Sequence, residues 1–189
     1  MLFRSIALAR AKPELLSYAS SGNGSVNHLL GEMLKVDAGI RMRHIPYKGV
    51  APAILDVMAG QVDLAFTSVP SVIQHVASGR MRVIAVTSAQ RVSVAPTVPT
   101  IAESGLGNLA GFDVNPWWGI LAPAGTDMRI VRKVNTDAND VLKTKDLQDF
   151  LKAQGADVLL TTPEEFHKLL VADVAKWSKV VRASGARID

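Results

Sequence analysis

Two patterns of apolar residues alternate along the 189-residue chain. Short apolar runs with β-branched residues predict strands at residues 16–19, 42–45, 62–66, 82–87, 114–121 and 156–160. Longer segments with apolar positions three or four apart predict helices at residues 2–11, 25–36, 51–59, 69–77, 127–142, 145–154 and 163–184. Strands that alternate with helices over short links predict an α/β fold with mainly parallel strands.

Local signals predict the start of the last helix and one boundary in the chain. Thr162 can cap a helix that has Pro163 at its first position and two acids in its first turn. The apolar spacing predicts that this helix buries Phe166, Leu169, Leu170, Val174 and Trp177. The glycine-rich stretch 105–111 predicts a boundary between two domains, residues 1–110 and residues 111–189.

Three predicted loops each follow a strand, open a helix and carry small polar residues. Unpaired amides at a helix start attract anions, and glycines let the backbone approach a ligand closely. Because the carboxyl ends of parallel strands meet at one edge, the loops together predict a site for a carboxylate or phosphate. Capped turns without a ligand are the competing interpretation. The candidate ligand-binding residues are Ser21, Gly22, Asn23, Gly24, Ser25, Tyr47, Thr67 and Ser68.

Composition and motif spacing argue against several other kinds of chemistry. The net charge is +4, but the basic residues are scattered among acids, which disfavours a nucleic-acid partner. The chain has no cysteine, and its four histidines lack metal-ligand spacing, so we expect no metal site, no catalytic site and no cofactor. Ser25 and His28 are neighbours on one helix, but no acid is placed to orient the histidine. We interpret Trp117 and Trp118 as core residues, with stacking on a ligand as the competing interpretation.

Eight segments form an ordered set that covers nearly the whole chain. They are SSGNGS at 20–25, IPYKG at 45–49, GQVD at 60–63, AVTS at 85–88, VPTIAESG at 98–105, WGILAPAGT at 118–126, TPEEF at 162–166 and WSKVV at 177–181. Each segment alone is common, but the set in this order resembles the receptors of tripartite tricarboxylate transporters, also called Bug or TctC-like proteins.

The resemblance implies an α/β fold of the type II periplasmic-binding-protein kind, in which two lobes close on a ligand. It also implies a small organic anion as ligand, such as a dicarboxylate or tricarboxylate, a periplasmic location, and the permease subunits of the transporter as membrane partners. By this resemblance, a carboxylate is gripped by Ser21, Asn23, Gly24 and Ser25. Thr67 and Ser68 would line the same lobe. Many members of the family carry aspartate where Thr67 stands, so the neutral residue weakens the expectation of an amino-acid ligand.

The chain departs from the family at its start. Members begin with a signal peptide and a strand–loop–helix segment that supplies half of the ligand contacts, whereas residues 1–11 here have the pattern of an amphipathic helix. We therefore expect a truncated receptor, with one complete lobe at residues 1–110 and one partial lobe at residues 111–189. The expected consequences are weak ligand binding and self-association into a homo-oligomer through unpaired sheet edges.

Two other functions fit parts of the sequence. A cytoplasmic small-molecule sensor of the same fold, as in the effector domains of LysR-type regulators, would accompany a DNA-binding helix-turn-helix. A hydrolase or transferase that uses the loop 21–25 would need a general base and an oxyanion site. The sequence shows none of these three features, so a receptor is the favoured interpretation.

Overall fold

The computed structural model describes residues 2–186. Its helices and strands alternate over residues 2–77, as the apolar pattern predicts, but no described strand separates the three helices after residue 127. The helices are α1 Leu2–Ala11, α2 Val26–Ala38, α3 Val50–Met58, α4 Val69–Ala77, α5 Met128–Leu142, α6 Lys145–Ala153 and α7 Pro163–Ser184. The strands are β1 Ser17–Ser20, β2 Arg43–Pro46 and β3 Leu64–Ala65, and single 3₁₀ turns lie at Ala102–Ser104 and Gly107–Leu109. The α/β prediction with a parallel sheet is confirmed.

The sheet has the strand order β2-β1-β3, and both pairings are parallel. Strand β1 is central and buried along its whole length, since it pairs on both sides and is covered by helices. Its start is fixed by Asp63, whose carboxylate accepts hydrogen bonds from the Ser17 amide and hydroxyl, both at 2.7 Å. The carboxyl ends of the three strands therefore lie side by side at one edge of the sheet.

The main core packs around Tyr18, which has no exposed surface. Ile6, Leu30, Leu34 and Phe112 are buried in the same cluster. The α2 helix approaches the strand closely enough that a Cβ placed at Gly31 would lie 2.2 Å from the Tyr18 ring. Glycine is therefore the residue that allows α2 to pack on β1.

The chain divides into two compact units. The first comprises the described residues up to Pro116 together with those from Trp177 onward, and the second is Trp117–Lys176. The sheet and the buried core belong to the first unit, and the partly buried Trp177 packs against that core. The assignment of residues 1–110 and 111–189 to two receptor lobes stays a prediction, and residues 187–189 lie outside the described part of the chain.

Three predicted strands are wrong. Residues 82–87, 114–121 and 156–160 form no strand within the described residues, although Val86 makes one isolated parallel bridge to Thr100. Val114 is held to Thr87 by a backbone hydrogen bond of 2.8 Å, but this contact does not extend into a ladder. An extended segment becomes a strand only when a neighbouring strand pairs with it, and the described residues supply no such neighbour here.

The second unit leaves much of its apolar surface exposed. None of its residues is buried, and exposed fractions reach 83% at Trp118, 75% at Ile120 and 67% at Leu121. The predictions that Trp118 and Val174 are core residues are therefore wrong, since Val174 is 58% exposed. Trp117, in contrast, is half-buried and contacts Phe166 edge-to-face. An exposed apolar surface of this extent is typical of surfaces that bind other protein surfaces.

We expect Gly31→Ala to destabilise the first unit by about 1–3 kcal/mol, because the new methyl group collides with the Tyr18 ring. Chemical denaturation measures the change. Gly111→Ala is the matched control, since nothing lies near its Cβ position and its backbone needs no left-handed conformation. Equal stabilities of the two variants would contradict the close approach of α2 to β1.

We expect the chain to self-associate through the exposed apolar residues of the second unit. The double variant Trp118→Ser/Ile120→Ser should shift the chain towards monomer in size-exclusion chromatography with light scattering. Val36→Ser removes an exposed apolar residue of the first unit and should leave the distribution unchanged. A native chain that stays monomeric at about 100 µM, well above the dissociation constant of a micromolar complex, would refute this expectation.

Candidate functional site

The candidate ligand-binding residues occupy three loops at the carboxyl edge of the parallel sheet. Residues 21–24 follow β1, residues 47–49 follow β2 and residues 66–68 follow β3. The first two loops are in direct contact, because the Tyr47 amide donates to the Ser20 carbonyl at 3.0 Å and the Gly49 amide donates to the Ser21 carbonyl at 3.3 Å. The third loop shares this edge through the pairing of β1 with β3.

Ser25 is the N-cap of α2, and it holds the first loop in a tight turn. Its hydroxyl accepts the His28 amide at 3.2 Å and donates to the Gly22 carbonyl at 2.7 Å. Its own amide also donates to the Gly22 carbonyl, at 3.2 Å. The turn requires φ values of 134° at Gly22 and 73° at Gly24, a region that glycine adopts without strain.

Several donors of this loop are already engaged within the protein. The Gly22 amide donates to the Ser20 hydroxyl at 3.2 Å, and the Gly24 amide donates to Nδ1 of His28 at 3.0 Å. The Ser21 hydroxyl accepts the side-chain amide of Asn27 at 3.3 Å. Within residues 2–186, the Val26 and Asn27 amides in the first turn of α2 have no acceptor.

The second and third loops supply further polar groups. The Tyr47 hydroxyl donates to Asp56 at 2.6 Å, and this hydrogen bond to a carboxylate raises the pKa of Tyr47. Ser68 is the N-cap of α4, but its side chain makes no capping bond and instead contacts the Ser71 hydroxyl at 2.7 Å. The Thr67 hydroxyl oxygen is buried and has no hydrogen-bond partner within the described residues. Thr67 is thus the side chain here that most needs an external partner.

A buried polar cluster lies directly behind the first loop. The rings of His28 and His44 stack in parallel with centroids 3.9 Å apart, and Tyr18 stacks on His44 at 4.9 Å. The Tyr18 hydroxyl donates to Glu32 at 2.6 Å, and Lys35 pairs with the same carboxylate at 2.7 Å. Sequence reasoning missed this cluster, although His28 and Glu32 stand four residues apart on the apolar face of α2 and signal a buried polar pair.

The two histidines of this cluster are neutral at neutral pH. Burial lowers the pKa of His28, an effect that Glu32 partly opposes. Burial, followed by the adjacent His28, lowers the pKa of His44 from its usual 6.5 to about 4. Because Nδ1 of His28 accepts the Gly24 amide, its proton is on Nε2, which lies 3.8 Å from Glu32. Burial also raises the pKa of Tyr18, so its hydroxyl stays protonated and can donate.

The site does not have the arrangement of a nucleophilic enzyme. Ser20 and His44 lie 2.6 Å apart, as a nucleophile and its base would. However, Ser20 is only 1% exposed, so no substrate carbonyl can reach its hydroxyl.

Among residues 2–186, no three His, Cys, Asp or Glu side chains are grouped to hold a metal ion. None of the helices described is long and apolar enough to cross a membrane.

The chain has a parallel α/β sheet with strand-to-helix loops at its carboxyl edge, which is where open α/β proteins bind small ligands. The comparisons with known proteins identify its family. The profile of the tripartite tricarboxylate transporter family receptors, TctC, matches residues 2–186, and the chain belongs to this family. The family comprises receptors, not enzymes.

Individual relatives agree with this assignment. The chain is 34% identical to protein BugT of Bordetella pertussis strain Tohama I over 183 residues, which is 97% of this chain and 55% of BugT. A protein of R. palustris solved with adipate superposes with a TM-score of 0.84 at 32% identity, covering 96% of this chain and 60% of that one. MatC from Rhodopseudomonas palustris, solved with bound malate, superposes with a TM-score of 0.77 at 27% identity. The match covers 95% of this chain and 61% of MatC. The chain spans about half the length of most of the curated relatives it matches.

We expect the free energy of unfolding to fall as the pH decreases from about 6.5 to about 4. His44 has a lowered pKa in the folded chain, so in this window the unfolded chain binds a proton that the folded chain does not. The loss attributable to His44 is on the order of 2 kcal/mol after allowance for its partial exposure.

Denaturant unfolding at several pH values measures this loss. In His44→Gln the free energy of unfolding should depend less on pH, since glutamine keeps a polar group near Ser20 but does not titrate. His167→Gln changes an exposed histidine and should leave the dependence as in the native chain. A native profile that is flat over this pH range would contradict the neutral histidine pair.

Proposed function

We propose that this chain captures a small organic carboxylate at the carboxyl edge of its sheet, as part of a receptor for a tripartite tricarboxylate transporter. The observation that carries the proposal is the start of α2, where the Val26 and Asn27 amides have no acceptor within residues 2–186. Unpaired amides at a helix start, with the positive end of the helix dipole, stabilise an anion. The relatives solved with adipate and malate support a dicarboxylate as the ligand.

Three further groups extend the proposed site around this helix start. The Ser21 hydroxyl can donate to a ligand while it accepts from Asn27, since a hydroxyl has one proton and two lone pairs. The Thr67 hydroxyl is buried and lacks a partner within the described residues, so it can bind a ligand oxygen once the third loop moves to expose it. The exposed Lys48 adds a positive charge beside the second loop. Together with Asn23 and the glycines of the first loop, these groups favour an anion over a neutral or cationic solute.

The Tyr47 hydroxyl acts differently in this proposal. It donates its proton to Asp56, so a ligand could only use its oxygen as an acceptor or its ring as an apolar surface. A fully ionised carboxylate offers acceptors alone. Tyr47 therefore contributes ring contact to such a ligand, and its hydroxyl orients the ring through Asp56.

The compartment and the partners belong to the same proposal. We assign the chain to the periplasm and its docking partners to the permease subunits of the transporter, because its family is that of the transporter receptors. A sensor of the LysR effector kind is not favoured, since the solved relatives include a periplasmic transporter protein and the periplasmic binding protein BugD. The candidate donors come from one edge of a small sheet, so we expect weak binding, with a Kd above about 1 µM.

Isothermal titration with adipate, malate and citrate tests the proposal. At least one of these acids should bind with a 1:1 stoichiometry and weaken as salt is added, because the attraction is electrostatic. The neutral diol 1,6-hexanediol has the chain length of adipate without its charges, and it should not bind. If none of the three acids binds saturably, the carboxylate receptor is refuted for these ligands. A Kd of about 1 µM or below would contradict the expectation of weak binding but not the proposed carboxylate ligand.

The same titration with Thr67→Val tests the role of the buried hydroxyl. We expect binding to weaken about tenfold, since a hydrogen bond to a charged group is worth roughly 1.5–3 kcal/mol. The unliganded variant should be as stable as the native chain or more so, because the hydroxyl has no partner there. Thr136→Val, at an exposed threonine of α5 in the second unit, is the control. If Thr67→Val lowers the stability but not the affinity, the Thr67 hydroxyl stabilises the fold and does not bind the ligand.

A further inference from the structure

We propose that His28 is a positioning residue for the anion-binding loop, which it holds in place only while its Nδ1 atom is unprotonated. The inference rests on the proposed function and adds a proton-dependent control to that site. Its starting point is the hydrogen bond of 3.0 Å from the Gly24 amide to Nδ1 of His28. This bond joins the turn that precedes the helix start to the buried cluster beneath it.

An imidazole nitrogen can accept this bond only through its lone pair. In the imidazolium form both ring nitrogens are donors. The Gly24 amide would then face a second N–H at 3.0 Å, and the two donors repel. Either the loop turns the Gly24 amide away or the ring leaves its place. The ring is held by its stacking on His44 and by burial, so the loop is the part that moves.

A displaced Gly24 changes the proposed binding amides directly. Gly24 precedes Ser25, whose hydroxyl caps α2 by accepting the His28 amide. Ser25 is also tied to the Gly22 carbonyl through both its amide and its hydroxyl. A shift of this turn therefore disturbs the N-cap and moves the first-turn amides of Val26 and Asn27. Because anion binding depends on the direction of those amides, protonation of His28 should weaken it.

The groups around His28 determine when it takes up a proton. Its own helix contributes Glu32, with 3.8 Å between Nε2 and the carboxylate, and Lys35, which pairs with that carboxylate. Strand β1 contributes Tyr18, and strand β2 contributes His44, whose ring lies 3.9 Å away. The 3₁₀ turn at Gly107–Leu109 carries no titratable side chain. Burial lowers the pKa of His28, so the bond to Gly24 is intact at neutral pH and is lost only in acid.

Two substitutions separate positioning from mere packing. His28→Asn places an amide oxygen where Nδ1 stands, so it can accept the Gly24 amide but cannot take up a proton. His28→Leu fills similar space but offers no acceptor. His167→Asn, at an exposed histidine of α7, controls for the loss of a histidine elsewhere.

The binding test compares adipate affinity at about pH 7.5 and about pH 4.5, a range that spans histidine titration. Acid should weaken native binding and His167→Asn binding about tenfold, corresponding to one unit of pKa difference between free and bound chain. His28→Asn should bind as the native chain does at the higher pH and show a smaller acid effect. Ionisation of adipate affects all variants alike, so it cancels in the comparison. Equal acid effects in the native chain and His28→Asn would overturn the inference, as would native-like binding by His28→Leu.

A second measurement needs no ligand. Nitrogen-15 NMR of the full chain should show an unprotonated Nδ1 at His28 at about pH 7.5, and the Gly24 amide signal should shift on acidification with the same midpoint as that ring. A protonated Nδ1 at neutral pH, or a Gly24 signal insensitive to acid, would overturn the inference. If adipate, malate and citrate all fail to bind at neutral pH, the proposed function fails, while this measurement still decides the role of His28.

Discussion

The hydrogen bond between Tyr18 and Glu32 is the interaction on which the binding edge depends. It joins the centre of the sheet to the middle of α2 at 2.6 Å, inside the core. Without a side chain at Gly31, the helix lies directly on the tyrosine ring. These two contacts fix where α2 begins relative to the end of β1. The loop between them spans only five residues, so its conformation is largely determined by its two anchors.

The same constraint explains why the first loop has its sequence. A short turn that must reverse into a helix needs left-handed backbone at two positions, and glycine supplies both. The polar residue that follows must satisfy an amide of the first helical turn, and Ser25 does so. The requirements of folding and of anion capture thus coincide at the start of α2, since both need a short glycine turn that leads directly into a capped helix.

The sequence alone predicts the first unit well, because its elements are short, strongly patterned and bounded by capping residues. Helices α1 and α4 of this unit have the predicted bounds, as does α7, which has residues in both units, and strands β1 to β3 fall within a few residues of theirs. The pattern fails at residues 82–87 of this unit and at residues 114–121 and 156–160. An apolar run shows that a segment favours extended structure. Whether it forms a strand depends on a neighbouring strand, which the periodicity of one segment does not identify. Exposure of Trp118 was unpredictable for the same reason, since its surroundings are set by tertiary contacts.

The candidate loops were predictable and their internal bonding was not. Glycine, serine and a strand-to-helix junction are visible in the sequence, whereas the engagement of the Gly24 amide by His28 needs coordinates. The hydrogen bond from the Gly24 amide to His28 also suggests a role for the buried polar cluster behind the loop, whose burial costs free energy. Buried polar groups destabilise a fold when unsatisfied, but here Tyr18, Glu32 and Lys35 satisfy one another. A satisfied network is directional, so it can fix the orientation of a loop amide, which an apolar core of equal volume cannot do.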